Sequence, residues 1–177
     1  MSPLKIPAEI PIAQVVALID TREQIALDLL PLKTEEATLV TGDYSLRGLE
    51  RIVAVERKSL SDLLCCCGGE RKRFEREIDR LLAYPVRLLV VESTWQQIEE
   101  GRWQSKIFPG AVRNSLLGWQ ARGLPVLMAG SHQRAGEYVR EFLVLAARRR
   151  WKECRCLLGG GQKRVKAVEP PPEDVPF

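Results

Sequence analysis

The chain has 177 residues, 45% hydrophobic and 28% charged, with 27 Lys+Arg, 23 Asp+Glu and one His. That length suits one domain with a real core and is too short for two catalytic lobes, and the apolar share excludes a disordered chain; no apolar run approaches the ~18 residues of a membrane span, and the start, with Pro3 and Pro7, has no signal-peptide core, so a cytoplasmic protein is expected. The net charge of +4 is uneven, because residues 1–100 carry 13 Lys+Arg against 17 Asp+Glu whereas residues 101–166 carry 14 against 3, a balance that suits phosphate neutralisation and that a solvated helix face would also give.

In chain order, residues 1–12 read as an arm, and 15–20 as a short buried strand ending on Asp20. Residues 38–45 and 51–58 read as extended, with a turn at Gly48, and together predict an antiparallel hairpin. Ser59 or Ser61 caps a short helix that runs into Cys65-Cys66-Cys67 and stops at Gly68-Gly69. Residues 70–84 predict a helix with Phe74, Ile78, Leu81 and Leu82 on one face, ended by Pro85. A buried strand follows over 86–92, a helix capped by Thr94, a second helix over 110–122 and a last strand over 124–129.

The spacing then predicts a long helix over 133–151, burying Tyr138, Val139, Phe142, Leu143, Leu145 and Ala146, with Arg148-Arg149-Arg150 at its C-terminal end. Gly159-Gly160-Gly161 and Pro170-Pro171-Pro172 mark residues 154–177 as a tail. Strand and helix alternate, so the expectation is an α/β domain over 13–153, with a central sheet of about five strands and helices on both faces. The five cysteines lack the spacing of a zinc site and read as free thiols.

The chemistry concentrates in Gly42-Asp43-Tyr44 and in Glu56-Arg57-Lys58. On an extended strand Ile52, Ala54, Glu56 and Lys58 share one face, with Glu56 and Lys58 roughly 6 to 7 Å apart along it. The hairpin brings Asp43 opposite a residue between Ala54 and Glu56, so two carboxylates and an ammonium converge. Paired carboxylates from adjacent strands suit a hard divalent cation, with Asp20 at its own strand end as a third candidate ligand. Spacing alone also fits an ordinary surface ion pair with Asp43 as a turn residue.

Ile19-Asp20-Thr21-Arg22-Glu23, Gly42-Asp43-Tyr44 and Glu56-Arg57-Lys58-Ser59-Leu60-Ser61-Asp62 together resemble the nuclease domain of the XPF family of structure-specific endonucleases, over roughly residues 15–150. The resemblance implies a restriction-endonuclease-like mixed sheet and Mg²⁺- or Mn²⁺-dependent hydrolysis of branched, flapped or junction DNA. It implies Asp20, Asp43 and Glu56 as metal ligands or their close support, with Asp43, Glu56 and Lys58 catalytic and Arg22, Glu23, Arg57 and Asp62 completing the site. Arg73 resembles the family's phosphate-meeting basic residue. Members usually append a tandem helix-hairpin-helix module, and nothing after Trp151 has the length for one, so a targeting partner protein is an expectation.

Lys106, Arg113 and Arg148 join Arg73 as expected DNA contacts. His132 reads as a capping or surface histidine, and Trp95, Trp103, Trp119 and Trp151 as packing residues or as platforms for unpaired bases. The apolar face of residues 133–151, with Val112, Leu116 and Trp119, forms either core or a homodimer interface. A non-catalytic module that holds branched DNA, and a nuclease for single strands or RNA, are the competing functions.

Overall fold

A computed structural model describes residues 6–158, which hold eleven regular strands and α-helices. These are β1 (Val16–Asp20), β2 (Lys33–Ala37), β3 (Tyr44–Leu46), β4 (Val53–Lys58), α1 (Leu60–Cys67), α2 (Arg71–Leu82), β5 (Val86–Val91), α3 (Trp95–Glu100), α4 (Pro109–Ala121), β6 (Val126–Met128) and α5 (His132–Leu157). The strands form one sheet in the order β2-β1-β3-β4-β5-β6. Only β3 runs against its neighbours; the pairs β1–β2, β4–β5 and β5–β6 are parallel. The C-terminal ends of five strands and the N-terminal end of β3 therefore share one edge of the sheet.

Period-two alternation along β4 sorts its side chains onto two cores. Val53 and Val55 pack with Tyr44, Leu88, Val139 and Leu143 on the α5 side, whereas Ala54 packs with Leu63, Phe74, Ile78, Leu116 and Trp119 on the side of α1, α2 and α4. Helices thus cover both faces, as expected. Val112, Leu116 and Trp119, together with Val139 and Leu143 of α5, are core residues, whereas Leu145 of α5, expected to be buried, is exposed because it stands on the outer side of the helix.

The sheet has six strands rather than about five. The additional strand, β2, has an exposed and charged sequence, Lys33-Thr34-Glu35-Glu36-Ala37, without apolar alternation, because it lies at the sheet edge, where charge discourages further pairing. Its position also corrects the extended segment expected over 38–45. Since β2 and β3 flank β1 on opposite sides, residues 38–43 must cross the C-terminal end of β1 and only Tyr44 onward joins the ladder.

Helix starts match their caps: Ser59, Thr94 and Ser131 accept backbone N–H groups of α1, α3 and α5. Helix α5 continues to Leu157, because no breaker follows Trp151 at once. Arg148 to Arg150 therefore lie within the helix instead of ending it, and Arg149 and Arg150 pair with Glu153. The Gly- and Pro-rich runs expected as a tail lie outside the described residues. Among the described residues no helix is long and apolar enough to cross a membrane.

Candidate active site

The crossing segment brings the first two motifs together. Gly42 has φ +80°, and a Cβ there would stand 2.9 Å from Val55 O, so only glycine lets the chain lie this close to β4. Asp43 then donates its N–H to Val55 O at 2.8 Å and accepts the Asp20 N–H at 2.8 Å on its own carbonyl. Its side-chain Oδ2 accepts the Arg57 N–H at 2.7 Å. The expected hairpin register holds, with Tyr44 opposite Val55.

Glu56 is 5% exposed, and its Oε1 accepts from Lys58 Nζ at 2.5 Å. The ammonium also stands 5.1 Å over the Phe74 ring, an apolar floor supplied by α2. Burial pushes the Glu56 carboxyl up to about 7, Asp43 adds to the rise, and Lys58 pulls it back. Burial likewise raises the Asp43 carboxyl, against the pull of Lys58 and the Arg57 N–H. For Lys58, burial opposes the charge, but Glu56 and Asp43 outweigh it and hold its pKa above the lysine norm. Two carboxylates that resist ionising together, with Asp43 Oδ1 and Glu56 Oε2 outside the hydrogen bonds of the described residues, form a donor set that suits a hard divalent cation.

Asp20 is placed differently. It is 2% exposed, and its Oδ1 accepts from Arg22 N and Nε at 2.9 and 2.6 Å, while Oδ2 accepts from Leu39 N and Arg22 Nη2 at 2.7 and 3.0 Å. Burial alone would raise its pKa, but these donors outweigh it and the net shift is downward. Every lone-pair direction of the carboxylate is thereby engaged in holding Arg22 and the crossing segment. Of the two roles that the resemblance allows Asp20, support is the one this geometry suits.

Within the cleft, Arg57 is clamped by two acids. Its Nε and Nη2 donate to Glu23 at 3.0 and 2.9 Å, and Nη1 donates to Glu92 at 2.9 Å. His132 Nδ1 stands 2.7 Å from Glu92 Oε1 and closes the row at the start of α5. Asp62 accepts the Ser59 hydroxyl at 2.7 Å and returns its own N–H to Ser59 Oγ, fixing the turn from β4 into α1. Arg22, Glu23, Asp43, Arg57, Lys58, Asp62, Glu92 and His132 all line one cleft of about 620 Å³.

Sequence reasoning missed Glu92, His132 and Phe74 as members of this group. Glu92 follows a buried strand, as Asp20 ends one, and that parallel was the available signal. The expected DNA contacts lie on four different segments, α2, the loop before α4, α4 and α5. Arg73 is exposed and pairs with Glu70; Lys106 and Arg113 are exposed beside α1 and on α4; Arg148 stands about 24 Å along α5 from His132. Much of the basic C-terminal half serves the fold: Arg122 pairs with Glu75 and Asp79, and Arg140 donates to Leu30 O. The five cysteines are free, and burial pushes the core thiol of Cys66 up to about 11.

A helix-flanked mixed sheet that presents two acids and a lysine at one strand edge defines a restriction-endonuclease-like nuclease domain. A family model described as the ERCC4 domain matches residues 19–142, and the chain belongs to that family, with an XPF-type nuclease domain. Among solved structures it is similar to XPF from Aeropyrum pernix, at 19% identity and a TM-score of 0.61, over 80% of this chain and 69% of that one. A structure described as XPF from Aeropyrum pernix in complex with DNA is similar at 18% identity and a TM-score of 0.61, over 75% and 64%. No curated protein matches the chain.

Proposed function

We propose that the protein is a divalent-metal-dependent endonuclease that hydrolyses one phosphodiester bond of branched or flapped DNA, with water as the nucleophile. The observation that carries this reading is the half-buried Asp43 and Lys58 that line an open cleft, with the buried Glu56 accepting from the Lys58 ammonium. Family membership supports a DNA endonuclease, and the description of an Aeropyrum pernix XPF bound to DNA supports DNA as the polymer.

Asp43 Oδ1 and Glu56 Oε2 would hold Mg²⁺ or Mn²⁺. When bound, such a cation supplies Lewis acidity toward a phosphodiester oxygen and toward water. Lys58 stays an ammonium through the neutral range because its pKa is raised, so its part is electrostatic: it stabilises negative charge that builds on the phosphoryl oxygens. Arg57 is occupied by Glu23 and Glu92, and its part is to hold Asp43 in line through its backbone N–H. The exposed Arg22 guanidinium, anchored by Asp20 at the cleft, is placed to meet a DNA phosphate. In the overall step the water oxygen bonds to phosphorus, one ester P–O bond breaks, and the proton passes to the leaving alkoxide.

Labelled flap, splayed-arm and duplex DNA, each incubated with Mg²⁺ or Mn²⁺, test the proposal. Cleavage of the branched forms in preference to duplex is expected; equal lack of cleavage on every substrate would sink it.

A further inference from the structure

Beside the cleft runs a second groove of about 640 Å³, between α1 and the 101–108 loop. Leu60 and Leu64 of α1, with Trp103 and Ile107 of the loop, give it apolar walls, and Lys106 is the only charged residue among the described residues that line it. Ser61 lines both the groove and the cleft, so the two adjoin.

The loop is braced rather than loose. The Trp103 indole N–H donates to Ile107 O at 3.0 Å, and the ring packs against the core between α1, α2 and α4. Gly101, at φ +63°, closes the other side: a Cβ there would stand 2.3 Å from Pro109 Cγ, which only glycine avoids. An indole held in this way loses little freedom when a flat partner stacks on it.

Resting on the endonuclease reading of the cleft, we propose that this groove docks unpaired nucleobases of the DNA strand that leaves the cleft. Apolar walls with one fixed aromatic ring match the face of a base, and Lys106 matches the phosphate beside it. Base faces inside a duplex are covered by their neighbours, so only a single-stranded arm offers them. The groove thereby selects for a junction next to the scissile bond.

Photocrosslinking tests this independently of cleavage. Splayed-arm DNA carrying 5-iododeoxyuridine at successive unpaired positions beside the junction is irradiated with the protein, and the attachment sites are mapped by mass spectrometry. A crosslink to residues 103–107 is expected, and it weakens in Lys106→Glu. Replacing the two unpaired nucleotides next to the junction with abasic sites should lower affinity about fivefold or more. If that crosslink forms on DNA that is never cut, the groove stands and the endonuclease reading falls. If the DNA is cut while crosslinks avoid 103–107 and abasic arms bind equally well, the groove assignment is overturned and the cleft reading stands.

Discussion

Arg57 donates its backbone N–H to Asp43 Oδ2 at 2.7 Å, and this one hydrogen bond ties the Gly-Asp motif to the Glu-Arg-Lys motif. It occupies one oxygen of Asp43 and leaves the other outside the hydrogen bonds of the described residues. On the proposed reading the labour divides: Asp43, Glu56 and Lys58 would carry the chemistry, while Asp20, Arg57, Glu23 and Glu92 would hold the frame.

Asp43→Ala and Lys58→Ala each remove a group from the reacting centre without touching exposed cations. Cleavage should fall about a thousandfold or more, while DNA affinity stays within about threefold. Single-turnover cleavage and fluorescence anisotropy on one flap substrate separate the two quantities, and parallel losses in both would argue for a binding role.

Asp20→Ala should behave in the opposite way. It orphans the buried Leu39 N–H and frees Arg22, costing about 1–3 kcal/mol of stability, with activity falling far less than in Asp43→Ala. Because the Asp20 pKa is lowered, its contribution is present above the ordinary carboxylate pKa of 3.8 and is lost as pH falls below it. Urea unfolding measures the first effect. Undiminished stability with activity as low as in Asp43→Ala would make Asp20 a metal ligand.

Glu56 gives a pH signature of the other sign. Its carboxyl rises from 4.5 to about 7, so the folded chain binds the proton more tightly than the unfolded one, and without divalent cation stability declines as pH rises across that window. The decline is on the order of 2–3 kcal/mol. Thermal melts in chelator at pH 5 and pH 8 should show it, and Glu56→Gln should flatten it. Added Mn²⁺ should raise the melting temperature more at pH 8 than at pH 6, because the carboxyls must release protons to bind it.

Arg57→Met should cost about 3–5 kcal/mol, since Glu23 and Glu92, whose side chains are little exposed, then lose the guanidinium they share. Urea unfolding reads the loss directly, and a change below about 1 kcal/mol would mean that the clamp contributes little.

The site was legible where residues close in sequence share a strand. The face shared by Ala54, Glu56 and Lys58 follows from period two alone, and the pairing with Asp43 follows from the Gly48 turn. What stayed hidden depends on chain crossings. Lys33–Ala37 carries no apolar pattern because the sheet edge does not ask for one, and without β2 nothing shows that residues 38–43 pass over β1 to bring Leu39 to Asp20. Glu92 and His132 lie 35 and 75 residues beyond Arg57, one just after β5 and the other at the start of α5 after β6, and the parallel order β4-β5-β6 brings them together. Part of the charge asymmetry serves the fold: Arg122 pairs with Glu75 and Asp79 of α2, and Arg149 and Arg150 with Glu153.

The central claim is that cleavage requires a divalent cation held at Asp43 and Glu56. The most direct measurement is the cleavage rate of a labelled flap substrate by the wild-type protein over a Mn²⁺ titration, beside a chelated control and the Asp43→Ala variant. Saturable, metal-dependent cutting that Asp43→Ala abolishes is the predicted result. Cutting that persists in chelator, or that Asp43→Ala leaves intact, would contradict it.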